Sequence, residues 1–235
     1  MFSLSGVSPS ISCDIFPPID LRDGEYEIGL VDLTTYNSIP NIEKGINDKF
    51  YYGENGVITI DEGSYELEEL VDHINSKIGG STFFTVTANK NTLKAEMKCV
   101  EDVHFEKENS IGQLLGFKKQ VYKAEVEGKS KKHISENVIN IITVNTIRVE
   151  CNIARGSFEN GREGHVLHEF YPTVGTGYKI VEVPNTIIYL PVNVQRINNL
   201  TVTLRDQNGR ALNLRKEILS LRLHLRKRIN GTSIY

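Results

Sequence analysis

Ile197 to Leu225 reads INNLTVTLRDQNGRALNLRKEILSLRLHL, and the spacing of its apolar residues decides the fold. Leu200, Val202 and Leu204 alternate with Thr201, Thr203 and Arg205, so one face is apolar and the other wet, as a half-buried strand requires. Asp206-Gln207-Asn208-Gly209 then supplies turn chemistry. Asn and Gly tolerate positive φ, and the Asp can accept a hydrogen bond from the backbone ahead of it. Leu219, Leu221, Leu223 and Leu225 alternate with Ser220, Arg222, His224 and Arg226, a period that a helix would smear around its circumference. The spacing predicts a core hairpin at this end of the chain, with its partners upstream.

A chain of 235 residues can bury a full core, and all-β sandwiches of this size often form one domain. A net charge of -3 and a pI near 6.1 exert no global pull toward nucleic acid or anionic membrane. The charge is nevertheless uneven. Between Asp14 and Asp72 acids greatly outnumber Arg22, Lys44 and Lys49, whereas Arg210, Arg215, Lys216, Arg222, Arg226, Lys227 and Arg228 crowd the other end with Glu217 as the sole acid. Such a dipole reads first as solvated surface, and otherwise as an oriented contact: head-to-tail subunits or a basic inner face.

Cys13, Cys99 and Cys151 lie far apart with no Cys-x-x-Cys pair, which argues against a disulfide scaffold or a zinc knuckle and fits a reducing compartment. No apolar run is long enough to span a bilayer, and the N-terminus shows Ser and Pro where a signal peptide would show a basic start and an apolar block. A soluble protein without membrane contact is expected. Asn199-Leu200-Thr201 and Asn230-Gly231-Thr232 match the glycosylation pattern, which arises often by chance.

Along the chain, residues 1–18 are rich in Ser and Pro and read as a flexible N-terminal arm, either disordered or ordered on a neighbouring subunit. Glu25 to Thr35 is a strand whose parity changes between Leu30 and Leu33, so its second half is expected to be buried on both faces. Lys49 to Tyr52 and Gly56 to Ile60 form a hairpin around Gly53-Glu54-Asn55. Ser64 to Ile78 is the one clear helix: Leu67, Leu70, Val71, Ile74 and Ile78 share a stripe, Ser64 caps it, and Gly79-Gly80 ends it. Phe83 to Thr87 and Leu93 to Cys99 make another hairpin, and Ser110 to Leu115 a helical turn. Residues 62–117 thus read as a small α+β segment inserted between strands of a larger sheet. Strands follow at Val121 to Val126, Ile139 to Ile153, His165 to Tyr171, Tyr178 to Val183 and Thr186 to Leu190, with a basic loop from Glu127 to Glu136 and a reversal at Asn160-Gly161. Short strands parted evenly by Gly, Pro and Asn favour an all-β sandwich with Greek-key connections over a helix-bearing parallel sheet. The expected organisation is the arm, one domain over 19–228, and a C-terminal tail over 229–235.

No catalytic constellation emerges. His165 and His168 stand three apart on a strand and so face opposite sides, which does not suit one metal. Gly175-Thr176-Gly177 lacks the Lys and the following helix of a phosphate loop and reads as a turn. There is no Gly-x-Ser-x-Gly elbow, and no Cys has a neighbouring His. No enzyme activity and no cofactor are expected. The basic C-terminal set and Lys129-Ser130-Lys131-Lys132-His133 could touch phosphates, but neither is interleaved with aromatics, so sequence-specific reading of nucleic acid is excluded.

Leu30-Val31-Asp32-Leu33-Thr34-Thr35-Tyr36-Asn37-Ser38-Ile39-Pro40-Asn41-Ile42 and Ile197 to Leu225 with its Leu204-Arg205-Asp206-Gln207-Asn208-Gly209 centre resemble the penton, or minor capsid, proteins of Maverick/Polinton elements and the related adintoviruses. Ser64-Tyr65-Glu66-Leu67-Glu68-Glu69-Leu70, Ile74-Asn75 and Ile111-Gly112-Gln113-Leu114-Leu115-Gly116-Phe117 fit the same family in the same order. The likeness runs from about Tyr26 to Leu225, and its motifs are structural rather than catalytic. Lys216 departs from it, standing where a small residue is expected before Glu217.

The resemblance implies a single jelly-roll sandwich that forms homopentamers and fills the fivefold vertices of an icosahedral shell built from a double-jelly-roll major capsid protein. It implies a virion location, with host cytoplasm or nucleus before assembly. Were the basic set from Arg210 to Arg228 to face inward, it would meet packaged DNA non-specifically through counterion release. The alternative from another class is a non-viral jelly-roll binding module, lectin-like or cytokine-like, for which three subunits rather than five are expected.

Overall fold

The computed structural model describes residues 1–79, 83–124 and 132–228. Three strands come first: β1 (Phe2–Gly6), β2 (Ser10–Asp20) and β3 (Tyr26–Tyr36). Next are β4 (Lys49–Tyr52), β5 (Gly56–Thr59), the helix α1 (Leu67–Ile78), β6 (Phe84–Ala88), β7 (Lys94–Cys99), β8 (Val103–His104), β9 (Val121–Tyr122) and β10 (His133–Val138). The chain ends through β11 (Ile147–Cys151), β12 (Ser157–Glu159), β13 (Arg162–Gly164), β14 (Val166–Phe170), β15 (Lys179–Glu182), β16 (Leu190–Pro191), β17 (Arg196–Arg205) and β18 (Leu219–Lys227). Two compact units result, one from 1–39 with 144–235 and the other from 40–143.

The first unit is built on two main antiparallel sheets, ordered β1-β18-β3-β15 and β14-β11-β17-β2, with β16 also on β3 and a separate two-stranded sheet β12-β13. Counting β1, β2, β3, β11, β14, β15, β17 and β18 as strands one to eight, the sheets read 1-8-3-6 and 5-4-7-2. Each sheet thus takes strands from both ends of the chain, the double Greek-key wrapping of a jelly roll. The fold is all-β, as the sequence predicts. Its core is filled from both sheets, by Ile28, Leu30 and Leu33 of β3, Leu219, Leu221 and Leu223 of β18, Val149 and Cys151 of β11, and Leu200, Val202 and Leu204 of β17. Each such aliphatic side chain, once buried, contributes about 1.5–3 kcal/mol.

The C-terminal strands correct the expected hairpin. β17 pairs with β11 and β2, β18 with β1 and β3, so the two lie in different sheets. The turn chemistry is real, with Gly209 at φ +77, and the chain folds back on β17 through Leu212 N–H donating to Leu204 O before crossing to the other sheet. Alternation tells which face is buried but not which strand is the neighbour. The parity change in β3 has a different cause from double burial. Leu33 pairs with Leu221 and Asp32 with Arg222, but Leu30 pairs with Leu223, so Val31 is a bulge. One extra residue turns Leu33 and Thr35 to the same core as Ile28 and Leu30.

Residues 1–18 are not a loose arm: β1 adds to β18 and β2 to β17, with Leu4 and Ile11 buried. The serines that hide this are the outward half of an edge strand. Ser10 bonds Thr203 and Ser12 bonds Thr201, each at 2.9 Å, a cross-strand hydroxyl ladder. Residues 229–235, the expected tail, lie outside the described residues.

The second unit reaches beyond 62–117 on both sides and has its own core around Phe50, Phe84, Phe105 and Phe117. Its sheets are β5-β4-β8-β9 and β10-β7-β6. The helix starts later than expected. Glu66, not Ser64, is the N-cap, in a capping box with Glu69, and Gly79 closes the helix at φ +88. Gly80 lies outside the described residues. Strand β10 occupies the end of the expected basic loop, and the long strand expected over 139–153 is only β11. Thr, Val and Ile at 139–146 show β-propensity without a ladder to join.

Candidate functional site

The expected basic set does not form one patch. Arg222, Arg226, Lys227 and Arg228 lie on or just after β18, and the ladder sets acids of β3 and of the β2–β3 turn opposite them. Arg222 pairs with Asp32, Arg226 Nε meets Glu27 Oε1 at 2.5 Å, Lys227 Nζ meets Asp23 Oδ2 at 3.0 Å, and Arg228 reaches Glu25 at 3.4 Å. The hydrogen bonds from Lys227 and from Tyr26 hold the Asp23 carboxyl below the usual carboxylate range. Four of the seven basic residues are therefore neutralised by acids along the β3–β18 ladder and the turn before it.

Arg210 serves the turn instead. Asp206 is buried, and its Oδ1 accepts from the N–H groups of Asn208 and Arg210 while Oδ2 accepts from the Arg210 guanidinium at 2.9 Å. Burial alone would push this carboxyl up, but the bonds from Arg210 and Asn208 outweigh it and hold the group low. Arg215 and Lys216 sit in the β17–β18 connection at φ +49 and +63, and among the described residues they make no ion pair. The positive φ explains why a small residue suits position 216.

Other candidates resolve into structure. His165 Nδ1 bonds the Ala154 carbonyl at 2.6 Å, while His168 Nε2 bonds Glu182 at 2.8 Å, so the two rings have different tasks. The His168–Glu182 contact joins β14 of one sheet to β15 of the other. Gly177 turns at φ +83 and donates its N–H to Asn37 O, so Gly175-Thr176-Gly177 is a turn. Burial pushes the Cys151 thiol up to about 11, away from the thiolate a nucleophile needs. Of the basic loop, Lys129, Ser130 and Lys131 lie outside the described residues; Lys132 pairs with Glu96, and His133 Nε2 meets Lys123 O. Among the described residues no group of three or more His, Cys, Asp or Glu could hold a metal ion.

The sandwich of the first unit presents two flanks. One flank carries the edge strands β1 and β2, the other β14 and β15. Sequence reasoning missed these flanks because an edge is a property of strand order, which periodicity does not encode.

No protein-family model matches the chain, and no curated protein is similar to it. Among solved structures it is similar to the mavirus penton protein at 11% identity and a TM-score of 0.47, over 93% of this chain and 91% of that one. It is also similar to a chain of the Sputnik virophage structure at 14% identity and a TM-score of 0.41, over 93% of this chain and 92% of that one.

Proposed function

We propose that the chain is a structural minor capsid subunit, a penton protein, that forms homopentamers at the fivefold vertices of an icosahedral shell. The observation that carries this reading is the 1-8-3-6 and 5-4-7-2 wrapping of the first unit, the single jelly roll that the resemblance at Leu30 to Ile42 and Ile197 to Leu225 calls for. A two-layered body with different edge strands on its two flanks suits a ring. Each copy presents one flank to the next copy's other flank, a heterologous contact that closes when the rotation allows.

In this reading the protein performs no reaction, and its partners are itself and a double-jelly-roll major capsid protein. It works in the virion after synthesis in the host cytoplasm or nucleus. With four basic residues on and after β18 paired to acids and Arg210 held by Asp206, Arg215 and Lys216 are the members of the set left for non-specific contact with packaged DNA.

The test is image reconstruction of particles formed by co-expressing this chain with its major shell protein. Five copies of the jelly roll at each vertex are expected. Particles that close without this chain at the vertices overturn the reading, and a stable trimer in solution redirects it to a cytokine-like binding module.

A further inference from the structure

Two features lie at opposite edges of the sheet β14-β11-β17-β2. At the β2 edge the register slips: Asp14 pairs with Asn199 but Ile19 with Ile197, so residues 15–18 stand opposite Asn198 alone. A bulge at a sheet edge re-aims a side chain. Ile15 still packs against the core, while Phe16 is thrust out and is 95% exposed. Pro17 and Pro18 beside it offer no N–H, so this edge is closed to a further strand but open to a side-chain contact.

At the β14 edge a groove of about 470 Å³ has an apolar wall of Phe158, Val166, Leu167, Ile188 and Leu190, with Glu159, His168 and Glu169 also lining it. Phe158 is 70% and Ile188 61% exposed. The volume falls in the range of about 300–1,000 Å³ that holds small ligands, ample for one phenyl ring. Tyr171, Tyr178, Val181 and Val183, around the ends of β14 and β15, are also mostly exposed. Aromatic side chains bury about 150–250 Å² each, so the aromatics here and their aliphatic neighbours approach the roughly 800 Å² that one partner gives a standard interface. The charged groups at this edge are engaged in local pairs. Arg148 is paired with Glu159 and Glu169, Arg155 with Glu163, and His168 with Glu182. Near Phe16, Asp20 is paired with Arg22, and Asp14 accepts from Asn199.

We propose that a second copy of this chain occupies the groove, Phe16 of one copy entering it at Phe158 and Ile188 of the next. A knob and a hole on opposite edges of one sheet make a head-to-tail contact, which propagates until it closes. The contact deepens the vertex reading, but it depends on that reading only for the number of copies in the ring.

The test uses the full chain alone, in sedimentation velocity over a concentration series. Phe16→Glu and Ile188→Glu are each expected to weaken association by on the order of thirtyfold or more, as a central anchor does. Both positions are exposed, so the thermal transition should stay in place, and a shifted transition is replaced by Phe16→Ala and Ile188→Ala for the same readout. Mixing the two Glu variants is the decisive arm. Each retains the half that the other lost, so the mixture should form dimers and nothing larger. Failure of the unaltered chain to associate at its highest soluble concentration overturns the contact, as does undiminished association of Phe16→Glu or a mixture no better than either variant. A ring of some number other than five sinks the vertex reading and leaves the contact standing.

Discussion

Glu27 and Arg226, 199 residues apart, meet across the β3–β18 ladder with Nε to Oε1 at 2.5 Å, and the same guanidinium lies 3.5 Å from the centre of the Tyr189 ring. The carboxylate is mostly buried and the guanidinium half exposed. Water and salt therefore screen the pair, and its worth is that of a good surface contact plus a cation–π term of about 0.5–1 kcal/mol. Arg226→Ala is expected to cost about 1–2 kcal/mol in denaturant unfolding. A double-mutant cycle with Glu27→Ala should return a coupling of about 0.5–1 kcal/mol that fades in roughly 1 M salt. A coupling of zero at low salt would mean that the basic set is free for other partners after all.

Gly116 tests the second unit. It turns at φ +81, and a Cβ there would stand 2.4 Å from Asn137 O and 2.8 Å from Val138 O, both backbone atoms. The left-handed conformation costs a side chain about 1–2 kcal/mol, and the clash adds a backbone shift of about 1–3 kcal/mol. Gly116→Ala should therefore lose about 3 kcal/mol. Gly161→Ala, at φ +80 with open space around its Cβ, should lose only about 1 kcal/mol. Equal losses at the two positions would show that crowding by 137–138 is not what matters.

These cases mark what was legible in the sequence. The alternating leucines of Ile197 to Leu225 show which side chains enter the core, because burial on one face of a strand has period two. They do not show the partner, since β17 and β18 leave the same turn for different sheets. Val31 has no sequence mark as a bulge, yet it decides that Leu33 faces inward. The serines of β2 read as solvent-loving until Thr201 and Thr203 are set opposite them. The basic cluster was visible as composition and its neutralisation was not, because Asp23, Glu25, Glu27 and Asp32 meet it only through long-range pairing. Helix α1 was legible almost to the residue, because caps and stripe are local; only the cap moved, from Ser64 to Glu66.

Thr35 follows from the same bulge. It is 2% exposed, and its Oγ1 finds no hydrogen-bond partner among the described residues. An unpaired hydroxyl in an apolar core costs about 1–3 kcal/mol, and Val has nearly the same shape. Thr35→Val is expected to raise stability by about 1 kcal/mol, read as a higher denaturant midpoint with an unchanged slope. A loss of similar size would point to a buried water serving the hydroxyl.

Asp206 gives the pH dependence. Its folded-state pKa is depressed below the unfolded value, so the folded protein holds the proton less tightly than the unfolded chain does. The stabilisation it supplies is thus fully present above the unfolded pKa of about 3.9 and is lost as pH falls through the lower folded value. Asp206→Asn keeps one carbonyl oxygen for the N–H groups of Asn208 and Arg210 but removes the charge that faces the Arg210 guanidinium. The expected loss near pH 7 is about 1–3 kcal/mol. The gap between the variant and the unaltered protein should narrow as pH drops below about 4, because acid strips the natural side chain of the same charge. Unfolding curves at a series of pH values read this directly. A gap that stays constant into acid would mean that Asp206 acts through the shape of the turn alone, with its charge contributing nothing to the fold.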